Sequence, residues 1–302
     1  MSEQTEQPIM HLAGDQLRFE YRLSNGLIHR DDGPAVRYIE RDLTIWCYQG
    51  KKSRLNGPAV EGSDGEEWWL LGKLHRVDGP AIERTDGTQK WFLNGRLHRG
   101  HGPAVIMPNG STSWYQNDKL HRTDGPAVIS PGKEEWYLRG VLHRQDGPAI
   151  VYEDGREEWY QLANRHRIGG PAIIKPDGTR YWYESGYYHR EDGPAVELPD
   201  GTKRWFRNGD LHRDDGPAEE FSDGTRHWCR NGCYHREDGP AIIRSDGSME
   251  WYNGGKQIQP HEILSRFVEI REQNIALKDE VEALRKDNEA LKEVISRPWH
   301  YR

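Results

Sequence analysis

The stretch "LHRTDGPAV" at residues 120–128 returns as "LHRQDGPAI" at 142–150, "LHRDDGPAE" at 211–219 and "YHREDGPAI" at 234–242. Gly-Pro-Ala triplets begin at Gly33, Gly57, Gly79, Gly102, Gly125, Gly147, Gly170, Gly193, Gly216 and Gly239, a period of 22–24 residues. Trp91, Trp114, Trp136, Trp159, Trp182 and Trp205 keep the same beat, inside a series that runs from Trp46 to Trp251. Self-similarity at this period is the mark of a repeat architecture, in which each unit buries its apolar face only against its neighbours. Ten units are expected, from about residue 14 to residue 256.

One unit, "GPAIERTDGTQKWFLNGRLHR" from Gly79 to Arg99, carries the local grammar. Pro80 lacks a backbone donor and suits the first position of a strand, while Gly79 is expected to give the preceding turn a positive φ. "AIER" reads as a short strand, "TDGT" as a tight turn, "QKWFL" as the returning strand and the Asn94-Gly95 pair as a second turn. Each repeat is thus a β-hairpin with a hook to the next. A lone hairpin is marginal in water, but a stack shares one core. Two strands per unit at about 4.8 Å each advance the stack by roughly 10 Å per repeat.

The His-Arg-x-Asp stretch reads as stacking structure rather than as catalysis. Asp78, Asp124, Asp146 and Asp192 are expected to hold a turn through backbone N–H groups, and Arg stems to cover Trp faces or pair with carboxylates. His98, His121, His143, His189 and His212 join through a ring nitrogen. A unit that cannot stand alone repeats its stacking residues in every copy, whereas a catalytic group is needed once. Departures from consensus are Ser53 in place of His, His101 and Gly169 in place of Asp, and Glu219 and Glu220 where Val or Ile begins the strand. Drift on a tolerant surface and a specialised site both account for them. In "HWCRNGCYH", His227 and Cys229 are expected to share a strand face, with Cys233 and His235 beyond a turn. Zinc is the alternative reading there, and an inert Cys pair the preferred one. No metal, cofactor or catalytic residue is assigned.

Composition sets outer limits. Twelve Trp and 14 Tyr supply apolar bulk in a chain otherwise poor in large aliphatics, so it is read as folded. A net charge of -7 gives no basic footprint and argues against nucleic acid as a partner. The start "MSEQTEQPIM" lacks the apolar core of a leader, no run is long enough to span a membrane, and three cysteines make no disulfide framework. A cytoplasmic location follows as the expectation, the host cytoplasm if the source is viral.

The aromatic hairpins, Asn-Gly turns and 23-residue beat resemble the MORN repeat, particularly the variant MORN repeats of bacterial and viral proteins. Wording of the type WYxNGxLHRxDGPA is similar to repeats encoded by large bacteriophages and giant viruses. The resemblance covers about residues 14–256 and implies a binding scaffold for proteins or membranes, with no catalytic residue to carry over. A weaker likeness is to the choline- and glucan-binding hairpin repeats of bacteria.

After "GGKQIQPHE" the pattern changes. Phe267, Asn274, Val281, Asn288 and Ile295 alternate with Ile270, Leu277, Leu284 and Leu291 at spacings of four and three, the a and d positions of a coiled coil. Asn at a selects a parallel, in-register pair, and Glu280 with Arg285 and Asp287 with Lys292 sit at g and e to meet across it. A parallel homodimer is expected, with a trimer as one alternative because of Ile at d and Phe at a, and a single amphipathic helix folded back on the solenoid as the other. Trp299 and Tyr301 in "RPWHYR" read either as a frayed end or as a docking peptide.

The expectation is therefore an all-β repeat, a stacked β-hairpin solenoid followed by an α-helical coiled coil. Its parts are a flexible segment at 1–13, the solenoid at 14–256, a linker at 257–262, the coiled coil at 263–296 and a tail at 297–302. The expected function is a non-enzymatic scaffold presenting an extended surface to an unidentified protein, a viral structural or host-interaction factor. The alternative is a carbohydrate- or lipid-head-group-binding module with aromatic grooves between hairpins.

Overall fold

The computed structural model describes residues 9–13 and 16–295. It divides into two compact units, Met1–Pro199 and Asp200–Arg302. Both are built of antiparallel hairpins, and the second also carries the one described helix, Pro260–Ile295. The hairpin-repeat fold with a C-terminal helix is as the sequence predicts.

The repeat from Gly79 shows how the local pattern becomes a sheet. Strand Ile82–Arg84 runs antiparallel to Gln89–Lys90, with Ile82 opposite Lys90. Ile82 also faces Glu67 of the preceding repeat, and Lys90 faces Val105 of the following one, so one ladder passes from hairpin to hairpin. At the turn the Asp86 carboxylate accepts the Thr88 N–H at 2.7 Å, and Gly87 takes φ 93°. Only glycine adopts that backbone without strain.

The returning strand expected over "QKWFL" is in fact two strands, divided at Trp91. Its N–H donates to the Ala104 carbonyl in the main ladder at 2.8 Å, while its carbonyl accepts the His98 N–H at 3.1 Å. The two hydrogen-bonding groups of one residue thus belong to two different ladders, and the chain turns a corner there. Phe92–Leu93 then pairs with Arg96–Leu97 in a second, two-stranded hairpin. Asn94 at φ 51° and Gly95 at φ 84° close it with the doubly left-handed turn that matches strand twist. Each repeat holds two hairpins rather than one.

Ala81 and its equivalents Ala104, Ala127, Ala149, Ala172 and Ala218 are fully buried, which leaves no room for a larger side chain beside the corner. In the first unit Ala172, Ile173 and Tyr183 form a core cluster, with Trp159, Tyr181 and Tyr188 packed against it. Burying an Ile here contributes about 2 kcal/mol. In the second unit the corresponding file is apolar at Ile242 but polar at Glu219. Glu219, 8% exposed, accepts from Arg204 at 3.1 Å and meets His227 Nδ1 at 2.9 Å. Glu158 in the first unit is buried likewise, with Arg156, Arg165 and Tyr160 on its carboxylate.

Three expectations are corrected. Residues 9–13 are strand Ile9–Ala13, paired with Gln16–Glu20, because "IMHLA" finds an edge to join. Gln257 lies in strand Lys256–Gln257 opposite Tyr252, and the helix begins at Pro260, so the linker shrinks to residues 258–259. Proline is preorganised for a first helical position, and Glu262 reaches back to accept the Gln259 N–H at 3.2 Å. Finally, among the Gly-Pro-Ala glycines only Gly57 and Gly102 have positive φ, so Gly79 is not there for its backbone freedom.

Candidate functional site

What the Gly-Pro-Ala glycine does instead is visible at Arg122. Its guanidinium carbon lies 4.2 Å from the centroid of Trp114, and a Cβ built on Gly125 would come within 2.8 Å of the same carbon. The guanidinium is therefore layered between an indole face and a bare Cα. In its plane Nε donates to the Asp124 carboxylate at 2.8 Å and Nη1 to the Pro126 carbonyl at 3.2 Å. The same layer recurs at Trp68 with Arg76, Trp91 with Arg99, Trp136 with Arg144, Trp159 with Arg167, Trp182 with Arg190 and Trp205 with Arg213, at 3.8–4.2 Å. A partly desolvated layer of this kind contributes about 1–2 kcal/mol.

Three of the four aspartates thus serve arginine rather than the turn, while Arg144, beside Asp146, donates to the Pro148 carbonyl. Asp78, Asp124 and Asp192 each accept from the Arg two residues before them. Those guanidinium bonds hold the Asp124 and Asp192 carboxyls below the usual carboxylate range.

Histidine links one repeat to the next. His121 Nδ1 accepts the Arg139 N–H at 3.1 Å, His143 Nδ1 the Leu162 N–H at 3.3 Å and His212 Nδ1 the Asn231 N–H at 3.2 Å. An accepting Nδ1 places the proton on Nε2. Ser53, in the histidine position, does the same work, since its Oγ accepts the Leu71 N–H at 3.1 Å. His98 differs: its Nδ1 is buried without a partner among the described residues, and these two repeats are linked by the Leu97 N–H donating to the Asp118 carboxylate at 2.8 Å. His189 Nε2 lies 3.4 Å from Glu184.

The four residues of the zinc alternative are not drawn together. The strand breaks at Trp228, so His227 stays in the main ladder bonded to Glu219, whereas Cys229 enters the small hairpin. There Cys229 pairs with Tyr234 and Cys233 with Arg230, which separates the two cysteines by register. Cys229 is buried and its thiol is pushed up to about 12, so it stays protonated. Among the described residues no group of three or more His, Cys, Asp or Glu is arranged to hold a metal ion.

Between successive His-Arg loops lie open clefts. One is lined by Arg99, His101, Trp114, His121 and Arg122, and another by Arg167, Gly169, Trp182, Tyr183 and Arg190. The departures His101 and Gly169 both line such clefts. In each, both arginines that line the wall are already layered on indoles.

The last repeat lacks this layer, because Gln259 stands where arginine belongs. Trp251 instead lines a small cavity of about 110 Å³ with Ile258, Ile263 and Ile270 and with Arg236, Glu237, Asp238 and Gly239 of the preceding loop. Beyond it the helix seam is uncovered: Leu277, Leu284 and Leu291 are 56–60% exposed and Val281 47%. Asn274 and Asn288 are exposed on the same helix. The side chains of Phe267 and Ile295 lie outside what is described, as do Trp299 and Tyr301 altogether. Among the described residues no helix is long and apolar enough to cross a membrane.

These observations define an all-β hairpin-repeat protein whose recurring side chains knit adjacent copies and whose C-terminal helix carries an uncovered apolar seam. The chain matches no known protein-family model and no curated protein sequence.

Proposed function

We propose that this protein is a non-enzymatic scaffold, dimerised in parallel through its C-terminal helix, that presents repeat surfaces to a protein partner. The likeness to variant MORN repeats and a role as a viral structural or host-interaction factor belong to the same reading. The observation that carries it is the file Leu277, Leu284 and Leu291, large aliphatics held 56–60% exposed at heptad spacing. Two linked copies raise the effective concentration of weakly binding surfaces without a deep pocket.

Light-scattering mass tests the dimer. The intact chain should weigh twice its 35.1 kDa, and a chain ending at Arg271, which keeps Ile263 and Ile270 beside Trp251, should be a monomer with the same β-sheet signal. A monomeric intact chain at tens of micromolar would overturn the reading. The carbohydrate or lipid-head-group alternative needs free aromatic faces, and the arginine layers already occupy one face of the repeated indoles other than Trp251. Saturable quenching of Trp fluorescence by a small sugar or choline would favour it.

A further inference from the structure

The small hairpins of the first unit carry a file of cations. Lys51, Lys73, Arg96 and Lys119 occupy the same position, five residues after Trp46, Trp68, Trp91 and Trp114, in four successive repeats, and all four are exposed. Val141, Asn164 and Tyr187 hold that position in the next three, so the basic stretch is bounded. The three lysine stems lie beside a glycine of the next hairpin: a Cβ on Gly72 would lie 3.5 Å from Lys51 Cβ, one on Gly95 3.6 Å from Lys73 Cβ and one on Gly140 3.5 Å from Lys119 Cβ. Among the described residues, the three lysines make no ion pair, and Arg96 has only Asp118 at 4.0 Å.

A second file runs beside the first. The cross-strand partners of these cations are Tyr48, Leu70, Leu93 and Gln116. Directly opposed residues of an antiparallel pair share a face. Tyr48 is 44% exposed and Leu93 36%. Three of the four hairpins thus set a cation beside an aromatic or aliphatic side chain.

The main ladder from which these hairpins branch advances by about 10 Å per repeat, two strand spacings, and sets the pitch of the two files. One heptad of α-helix rises about 10.5 Å, seven residues at 1.5 Å. A helix lying along the files therefore returns the same face to every repeat, and a drift of about 2 Å over four repeats is within reach of a lysine stem.

We infer that this surface, residues 48–119, binds an acidic amphipathic helix of a partner protein, with glutamates at one heptad position for the cations and leucines at another for the apolar file. The inference rests on the scaffold reading and names its partner class.

The probe is a four-heptad synthetic helix with Leu and Glu at those two positions, set against a scrambled peptide of equal composition. It is titrated into the intact chain by fluorescence anisotropy, with light-scattering mass read on the same samples. Binding should weaken as salt rises, and the set Lys51→Glu, Lys73→Glu, Arg96→Glu and Lys119→Glu should weaken it on the order of 30-fold. A peptide with Lys in place of Glu should recover binding to that variant. A neutral set, each cation replaced by Gln, should fall between the two and guards against misfolding of the reversed chain. Equal binding of the scrambled peptide, or none lost on charge reversal, overturns the inference. So does binding confined to phosphatidylcholine–phosphatidylserine vesicles at 3:1, which assigns the files to a lipid surface. A dimer that ignores the peptide removes the helix site and leaves the scaffold; a monomer that binds it does the reverse.

Discussion

In the hairpin array the repeated side chains end on partners in the same repeat or the next one, whereas in helix Pro260–Ile295 the repeated leucines end in solvent. Trp136 is layered under Arg144 at 4.0 Å, and Ala149 accepts its N–H at 2.8 Å. Leu284, just as periodic, is 60% exposed. Periodicity in the array records contacts within the chain, whereas periodicity in the helix, on the dimer proposed above, is left for contacts from a second chain. Substituting both residues separates the two kinds. Trp136→Ala should cost the array about 3 kcal/mol in urea unfolding. Leu284→Ala should leave the array's midpoint unchanged and lower the oligomer mass at micromolar concentration. If Leu284→Ala shifts the array as far as Trp136→Ala does, the helix is part of the array's core and the contrast fails.

Within the array, the glycines sharpen the same point. Gly125 lacks a positive φ and a Cβ there would strike Arg122, whereas Gly102 has φ 104° and a Cβ there would stand 3.2 Å from Arg99. Gly125→Ala should therefore cost about 1–2 kcal/mol, the worth of the displaced layer. In an Arg122→Ala background that cost should vanish, since nothing remains to strike. Gly102→Ala should stay costly with or without Arg99, because backbone strain does not depend on a neighbour. A double-mutant cycle at each site reads the difference.

Much of the fold was legible in the residues themselves. Asn94-Gly95 and Asp86-Gly87 mark turns through chemistry that acts locally, and the Trp and Gly-Pro-Ala beat reports stacking. The corner at Trp91 was not legible. A strand pattern shows which face a side chain takes, but not that one residue's N–H and carbonyl join different ladders. The glycine was misassigned because turn freedom and close approach leave the same letter in a sequence. Glu219 read as a departure on the surface, yet it is buried against Arg204 and His227. Its signal was available: the residue before each Trp faces the residue after each Ala, and here those positions hold Arg204, His227 and Glu219. The cation file was missed because it appears only when equivalent positions are compared down the array.

A smaller effect should come from the turns that break the Asn-Gly rule. Leu162 and Ala163 both take positive φ, 49° and 67°, and Leu162 is 69% exposed, so little packing is at stake. Left-handed backbone costs an ordinary L-residue about 1 kcal/mol or more. Leu162→Asn with Ala163→Gly should raise the array's stability by about 1 kcal/mol, read as a higher urea midpoint at unchanged slope. A loss would mean that Leu162 has a role in the array that its exposure does not show.

Acid should give the gentlest test of the arginine layers. Asp32, Asp124, Asp192, Asp215 and Asp238 are each held below 3.8 chiefly by the hydrogen bond from the neighbouring guanidinium. A depressed carboxyl stabilises the folded chain above its unfolded value and loses that contribution as pH falls through its folded one. The array's stability should therefore hold from pH 7 to about pH 4.5 and decline below, and 1 M salt should flatten the decline because these carboxylates face water. Asp124→Asn with Asp192→Asn should lower stability slightly at pH 7 and converge with the parent near pH 2. The convergence matters more than the size. If the two curves stay parallel to pH 2, the aspartates act through the shape of the loop, and the indole and glycine alone hold each guanidinium in its layer.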